Sequence, residues 1–182
     1  MADKQLKILV TNDDGYFSDG IKALAKELSK KHKIYLVAPD REQSASSHSL
    51  TLNHPLRMTK IDKTIYTTDG TPTDCVMLAM HLLYKGKKPD MIVSGINHGA
   101  NMGDDVTYSG TIAAAIEGSI LQVPSIAVSM ANYVPGTPMV RAASFVRKLV
   151  DNYDSLGLTY ATILNVNLPA DNGKPYKDYL FT

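Results

Sequence analysis

The sequence predicts an α/β fold built on a parallel sheet. Short apolar runs bounded by turn residues alternate with stretches in which apolar residues recur at helical spacing, and this alternation is typical of strand–helix–strand units. The first unit runs from Ile8 to Ala38, and such units are right-handed in nearly all proteins. The length of 182 residues, with 44% hydrophobic and 20% charged residues, indicates one globular domain.

The composition excludes several classes of protein. The net charge is +1 and the chain has no strongly basic or acidic block, so nucleic-acid binding is not expected. Cys75 is the single cysteine, which rules out an intrachain disulfide and fits a reducing compartment. No apolar stretch approaches the roughly 20 residues that span a bilayer, and residues 1–7 are too polar to begin a signal peptide. We therefore expect a soluble protein of the cytoplasm.

The first strand, over residues 8–10, leads directly into Thr11-Asn12-Asp13-Asp14-Gly15. Asp and Gly are poor strand residues, so this stretch is expected in the turn at the carboxyl end of the strand, where open parallel sheets bind ligands. Adjacent carboxylates repel each other unless a cation or strong donors neutralise them, and hard divalent cations prefer oxygen ligands. Two interpretations stay open here: a metal site, or an Asx-type turn that caps the next helix.

The next elements follow the same alternation. Residues 18–31 predict a surface helix, because apolar residues recur at helical spacing after the capping candidate Ser18. Residues 34–38 form a second apolar run and predict a buried strand. The polar loop 41–49 then brings several serines and His48 to the sheet edge that carries the two aspartates, if the strands are parallel.

The middle of the chain predicts a small antiparallel excursion and then a helix. Segments 50–53, 56–61 and 64–68 are short and β-prone, which favours a hairpin. Thr71 and Pro72 suit the N-cap and first position of the helix that follows. The cysteine within that helix is expected to be a buried small apolar residue and not a nucleophile.

A strand over residues 91–94 leads into the longest glycine-rich stretch, 95–105. This stretch matches neither the dinucleotide-binding pattern nor the P-loop pattern. It carries Asn97, Asn101 and a second pair of aspartates, again just after a strand. We therefore expect it to contribute further oxygen donors at the same edge.

Ser109-Gly110-Thr111 precedes a strongly helical run from 112 to 121. Free backbone N–H groups and the positive end of the helix dipole make such a start an anion site, and small residues let a phosphate approach the backbone. Simple helix capping by Ser or Thr is the alternative. The last predicted elements are a strand over 124–129, a helix over 138–153 and a strand over 162–166.

Strand ends and a helix start thus deliver oxygen donors and an anion cradle to one edge of the sheet. The sequence has no Cys/His cluster, so a closed tetrahedral zinc site is not expected. Oxygen ligands indicate Mg²⁺, Mn²⁺ or Ca²⁺, and a hard cation beside a helix N-terminus suits a phosphate ester.

Four stretches resemble the SurE family of stationary-phase survival proteins, which are metal-dependent nucleotidases. They are TNDDG at 11–15, APDREQSASSHSLT at 38–51, DGTPTDCV at 69–76 and SGINHGANMGDDVTYSGT at 94–111. Their order and spacing make the resemblance specific over about residues 6–130. It implies a Rossmann-like, mostly parallel sheet with helices on both faces, a three-layer α/β/α fold. It also implies release of phosphate from nucleoside 5′- or 3′-monophosphates, with short polyphosphates hydrolysed by some relatives.

The resemblance also implies roles for individual residues. One divalent cation, Mg²⁺ or Mn²⁺ with Ca²⁺ as the alternative, is expected to be held by four residues: Asp13, Asp14, Ser44 and Asn97. The two aspartates are then the catalytic residues, because the cation that they hold activates the attacking water. The phosphate-binding positions of the family match four others: Asn101, Ser109, Gly110 and Thr111. His48 is interpreted as orienting a ligand or transferring a proton, and the nucleobase is expected towards solvent or a neighbouring subunit, near Tyr108.

Family members continue past Phe181-Thr182 into an arm and a helix that support homodimers and tetramers. We therefore expect a nucleotidase core over 1–168 and a tail over 169–182 that is short for the family. Two alternatives to hydrolysis stay open. One is a nucleotide- or phosphate-binding module without turnover. The other is a phosphotransferase with an aspartyl-phosphate intermediate, whose usual D-x-D spacing is absent here because the two aspartates are adjacent.

Overall fold

The structure is a computed structural model that describes residues 4–156, 161–170, 176 and 179–181. These residues form seven strands, which are β1 (Lys7–Thr11), β2 (Lys33–Pro39), β3 (Met58–Lys60), β4 (Ile65–Thr68), β5 (Met91–His98), β6 (Ser125–Met130) and β7 (Leu164–Leu168). The strands form one sheet in the order β3-β4-β2-β1-β5-β6-β7. Within the described part of the chain β3 is antiparallel to β4, and the other pairs are parallel.

Helices cover both faces of the sheet. They are α1 (Asp19–Leu28), α2 (Pro72–Leu78), α3 (Asp105–Tyr108), α4 (Gly110–Ile120) and α5 (Val140–Asp151), and α2 continues into a π-helical stretch at Ala79–Tyr84. On one face α1 packs against α5, and on the other α2 packs against α4. None of the helices in the described ranges is long and apolar enough to cross a membrane.

The alternation of side chains along β1 explains the three layers. Ile8 and Val10 are fully buried in the core that includes α1 and α5, whereas Leu9 is fully buried in the core that includes α2 and α4. Successive side chains of a strand point to opposite faces, so a strand that is apolar throughout needs helices on both sides. The predicted three-layer fold is confirmed.

The sheet places a crevice at the end of β1. β1 pairs with β2 on one side and with β5 on the other, and the chain builds the sheet outward from β1 in both directions. In such sheets the carboxyl ends of the two strands beside the reversal form the ligand-binding switch point. The two aspartates follow β1 at this point.

Two predictions about local structure are wrong. Residues 50–53 form no strand, since Leu52 is 89% exposed and the N–H group of Thr51 donates to the side chain of Asp74 instead of to a neighbouring strand. Residues 95–98 are part of β5 and not loop, because Asn97 and His98 pair with β6 after a shift in register.

Other details of the sequence-based prediction agree with the structure. Thr71 caps α2 through a capping box with Asp74, and Pro72 follows at the first helical position. Cys75 is fully buried, and burial raises the pKa of its thiol well above the usual range, which suits a packing role. The proposed boundary between a core over 1–168 and a tail over 169–182 stays a prediction, because 171–175, 177–178 and 182 lie outside the described residues.

Candidate metal and phosphate site

A cleft of about 560 Å³ opens at the carboxyl ends of β1 and β5. Its walls come from the turn after β1, the loop between β2 and β3, the end of β5 and the segment around α3. The cleft brings together most of the residues predicted from the sequence, which are Asp13, Asp14, Ser44, Asn97, Asn101 and Ser109. Gly110 and Thr111 lie behind this wall, at the first turn of α4.

Asp13 is held from two directions. Its main-chain oxygen accepts a hydrogen bond of 2.8 Å from the N–H group of Gln43, and its carboxylate accepts one from the hydroxyl of Thr111. Both side chains are almost fully buried. Burial raises the pKa of the Asp13 carboxyl group, and the bond from Thr111 opposes that rise. The Thr111 hydroxyl therefore supports the carboxylate, which sequence reasoning did not anticipate.

Asp14 is the least compensated group in the cleft. Its Oδ2 atom is buried and has no hydrogen-bond partner among the described residues. Burial, and then the neighbouring charge of Asp13, raises the pKa of Asp14 to about 7. The Nδ1 atom of His98 lies 3.6 Å from Oδ1, which is too far for a hydrogen bond. An orphaned carboxylate oxygen beside a second carboxylate fits a bound cation.

Ser44 and Asn97 provide neutral oxygen atoms in the same cleft. The Ser44 hydroxyl donates to Glu42 Oε1 at 2.6 Å, so the lone pairs of its oxygen remain for a cation. The side-chain amide of Asn97 donates to the main-chain oxygen of Gly99 at 2.9 Å, and this orientation leaves its Oδ1 atom available to accept or to coordinate. Within the described ranges no three His, Cys, Asp or Glu side chains are grouped as a metal site, so a cation here depends on these two neutral residues.

Asn101 anchors the wall of the cleft to the sheet. Its side-chain amide donates to Ser129 Oγ at 2.7 Å, and its main-chain oxygen accepts hydrogen bonds from the amides of Asn165 and Asn167. The residue is 6% exposed. These bonds fix its position at the cleft, while a contact with phosphate stays a prediction.

Ser109 caps α4, as the alternative reading of the sequence predicted. Its Oγ atom accepts a hydrogen bond of 3.2 Å from the N–H group of Ile112. At the next position, a Cβ atom on Gly110 would lie 2.6 Å from Ser46 Oγ and 2.9 Å from Asp13 Cβ. The first turn of α4 therefore needs glycine to approach the aspartates, and a phosphate role for this turn rests on its backbone N–H groups.

Two neighbouring loops are tied down by polar side chains. The side-chain amide of Asn12 donates to the main-chain oxygen of Gly15 and to Ser18 Oγ, which ties the turn after β1 together. Its Oδ1 atom has no hydrogen-bond partner among the described residues, and the Ser18 side chain does not cap α1, so these contacts do not form the Asx-type cap. His48 Nε2 lies 2.8 Å from Glu117 Oε2 on α4 and does not line the cleft. Both interpretations of His48, as a group that orients a ligand or transfers a proton, stay predictions.

The cleft is strongly acidic. Its acidic side chains are Asp13, Asp14, Asp19, Glu42 and Asp105, and no lysine or arginine lines it in the part of the chain that the structure describes. Burial also lowers the pKa of the His98 imidazole, which favours its neutral form. A phosphate dianion can enter such a cleft only if a cation compensates the carboxylates.

The fold and this cleft define an α/β protein whose candidate ligand site, at the switch point of a parallel sheet, has the oxygen donors that suit a cation. The sequence model of the family described as "Survival protein SurE" matches residues 8–182. The chain belongs to this family.

Similar proteins carry nucleotidase names. The chain is 52% identical over 164 residues to a 5′-nucleotidase SurE of Geotalea daltonii and 51% identical over 164 residues to one of Vibrio cholerae. These matches cover 90% of this chain but 66% and 64% of the two relatives. The crystal structure of a SurE protein from Aquifex aeolicus is 45% identical, with a TM-score of 0.85, and the match covers 90% of this chain and 66% of that one. The chain thus spans just under two thirds of the length of these proteins.

Proposed function

We propose that this protein is a divalent-metal-dependent phosphatase that hydrolyses nucleoside 5′-monophosphates, and also 3′-monophosphates, to nucleoside and phosphate. The observation that carries the proposal is the adjacent carboxylate pair at the end of β1, in a cleft whose described lining has no lysine or arginine. The names of relatives about 50% identical support the reaction class. Assembly as a homodimer or tetramer and a cytoplasmic location stay predictions.

The cation site consists of Asp13, Asp14, Ser44 and Asn97. Carboxylate, hydroxyl and amide oxygens are the ligands that Mg²⁺ and Mn²⁺ take, with Ca²⁺ as the alternative. A bound divalent cation supplies positive charge to the phosphoryl oxygens and lowers the pKa of water for attack on phosphorus. The residues that fit it best are the two aspartates, because an unpartnered buried oxygen of Asp14 is otherwise left without compensation.

The first turn of α4 holds the phosphoryl group in this proposal. The N–H groups of Gly110 and Thr111 are at the helix start, where backbone donors lack intrahelical partners and the dipole is positive. Ser109 keeps this turn in place through its cap, and Asn101 lines the same wall. These residues orient the ester so that its phosphorus faces the cation site.

The binding module and the phosphotransferase are less well supported. The relatives named above are nucleotidases, which favours turnover over binding alone. An aspartyl-phosphate intermediate needs an accessible carboxylate. Asp13 is 4% exposed and already accepts the Thr111 hydroxyl, and the two aspartates lack the usual D-x-D spacing because they are adjacent.

The Asp13→Asn variant tests the proposal. We expect it to lose metal-dependent release of phosphate from nucleoside monophosphates by at least a hundredfold, on the order of one lost charge interaction in the transition state, while its circular dichroism spectrum stays that of the wild type. Asp62→Asn, in an exposed turn away from the cleft, is the matched control and should keep full activity. Full activity of Asp13→Asn would refute the assignment of the site.

A further inference from the structure

Two large aromatic side chains are exposed inside the acidic cleft. Phe17 is 48% exposed and Tyr108 is 61% exposed, and both line the same cleft as the two aspartates. The residues of this lining are otherwise mostly polar. An apolar ring that stays in water beside a polar site is the usual sign of a contact surface for a ligand.

The position of Phe17 is fixed by the turn that carries it. The main-chain N–H of Tyr16 donates to Pro39 at 3.0 Å, and that of Ser18 donates to Gly15 at 3.1 Å. Gly15 has a φ of +92°, and a Cβ atom there would lie 2.9 Å from the Phe17 ring. The ring also packs edge-on against Tyr16, with centroids 5.7 Å apart. The chain thus holds the Phe17 ring in the lining of the cleft that also contains Asp14, outside the core.

Tyr108 is fixed on another wall of the cleft. It ends α3, and its main-chain oxygen accepts a hydrogen bond of 3.0 Å from the N–H group of Ser47. The next residue is Ser109, the cap of α4. The Tyr108 ring therefore belongs to the segment that leads directly into the proposed phosphate cradle.

We propose that Phe17 is the stacking surface for the nucleobase of the substrate, with Tyr108 as a second aromatic contact. The inference rests on the proposed nucleotidase function. It adds a binding surface for the nucleobase, which the carboxylates do not bind. Because no lysine or arginine lines the described cleft, uncharged contacts with exposed rings are the available source of binding beyond the phosphate. Stacking of a base on an aromatic ring is such a contact, and every nucleobase offers a π-face for it.

A pair of substrates that differ only in the base tests this assignment. For AMP, Phe17→Ala is expected to lower kcat/KM roughly tenfold, mainly through KM, because one stacked base is lost. For ribose 5-phosphate, which has the same phosphate and sugar but no base, the same variant is expected to change kcat/KM less than twofold. Phe17→Tyr keeps a ring and is expected to retain the wild-type preference for AMP.

The matched control is Leu52→Ala, because Leu52 is an exposed apolar residue outside the cleft lining. It should leave both substrates unaffected. Equal losses for AMP and ribose 5-phosphate in Phe17→Ala would overturn the stacking role. If the wild type releases phosphate from neither compound, the proposed function itself fails, and a binding measurement then decides the stacking separately.

That measurement is fluorine NMR of protein labelled with 4-fluorophenylalanine. The chain contains three phenylalanines, and the Phe17 signal is identified by its loss in Phe17→Leu. Addition of the non-hydrolysable phosphonate analogue of AMP with Mg²⁺ is expected to shift the Phe17 signal, whereas ribose 5-phosphate shifts it little. Calorimetry shows when the analogue saturates the protein. If the Phe17 fluorine signal is unchanged at saturation, the inference is overturned whether or not the protein turns substrate over.

Discussion

The buried carboxylate of Asp14 lowers the stability of the folded protein. Burial and the charge of Asp13 raise its pKa from 3.8 to about 7. The folded protein therefore binds a proton between these two pH values that the unfolded chain has released. Stability of the metal-free protein consequently falls as the pH rises through this window and stays reduced above pH 7.

The Asp14→Asn variant is expected to remove the part of this pH dependence that comes from Asp14. A shift of three pKa units corresponds to an upper limit of about 4 kcal/mol, and partial contact with solvent reduces the expected gain in the free energy of unfolding at pH 8 to about 2 kcal/mol. Urea unfolding of metal-free protein at pH 4 and pH 8 measures it, with Asp62→Asn as the control. If the variant loses as much stability between these pH values as the wild type does, the account of Asp14 is wrong.

Thr111 allows a second test at the residue scale. Thr111→Val keeps the shape of the side chain but removes the donor to the buried Asp13 carboxylate. We expect the free energy of unfolding at pH 8 to fall by about 2 kcal/mol, since a hydrogen bond to a charged group is lost. Thr111→Ser restores the hydroxyl and should recover most of the loss. Equal stability of Thr111→Val and wild type would show that this bond does not support Asp13.

Sequence reasoning found the residues of the site but not the contacts that support them. The aspartates, Asn97 and Asn101 could be placed at one sheet edge because each follows an apolar run predicted to be a strand, whereas Ser44 was selected among its neighbours by family resemblance alone. The bond between Thr111 and Asp13 joins residues 98 positions apart, and that between His48 and Glu117 joins residues 69 positions apart. Both hydrogen bonds depend on how α4 packs against the sheet, and this packing cannot be predicted from the local sequence pattern.

At the scale of elements, the start of α4 combines two tasks. The Ser109 side chain caps the helix, and the backbone N–H groups beside it form the proposed phosphate cradle. Glycine at position 110 lets this turn approach Asp13 and Ser46. The position of the helix, more than the chemistry of its side chains, brings its positive end close to Asp13.

Variants of Ser109 separate these tasks. Ser109→Ala is expected to lower the free energy of unfolding by about 1 kcal/mol, whereas Ser109→Gly should cost only a few tenths, because glycine is itself tolerated as an N-cap. Thermal or urea unfolding measures both variants. If the serine acts only as a cap, the backbone N–H groups still bind the phosphate, and the rate of phosphate release changes little in either variant. Equal and large rate losses without a change in stability would indicate a direct contact with phosphate instead.

Some secondary-structure elements could be predicted from the sequence and others could not. The N-cap Thr71 and the first helical residue Pro72 could be predicted from the sequence, because the start of α2 is set by residues within one turn. Residues 50–53 have strand-like composition but no neighbouring strand to pair with. The extension of β5 to His98 follows from a register shift against β6, and such pairing between distant strands is invisible to periodicity.

At the scale of the whole molecule, charge distribution matters more than net charge. The sum over the chain is +1, which gives no hint of a cleft lined by five carboxylates. The topology concentrates them, since strands on both sides of β1 end at the same edge. The fold class could be predicted because apolar runs and helical stretches alternate along the chain, but the order of the outer strands required the structure.

The most direct test of the central claim is phosphate release by metal-stripped protein. A panel of nucleoside 5′- and 3′-monophosphates is assayed without metal and after separate addition of Mg²⁺, Mn²⁺, Ca²⁺ and Zn²⁺. The account predicts no release without metal and release restored by Mg²⁺ or Mn²⁺, with the Asp13→Asn variant inactive throughout. Absence of release with every cation, from protein whose circular dichroism shows that it is folded, would contradict the claim that this chain is a metal-dependent nucleotidase.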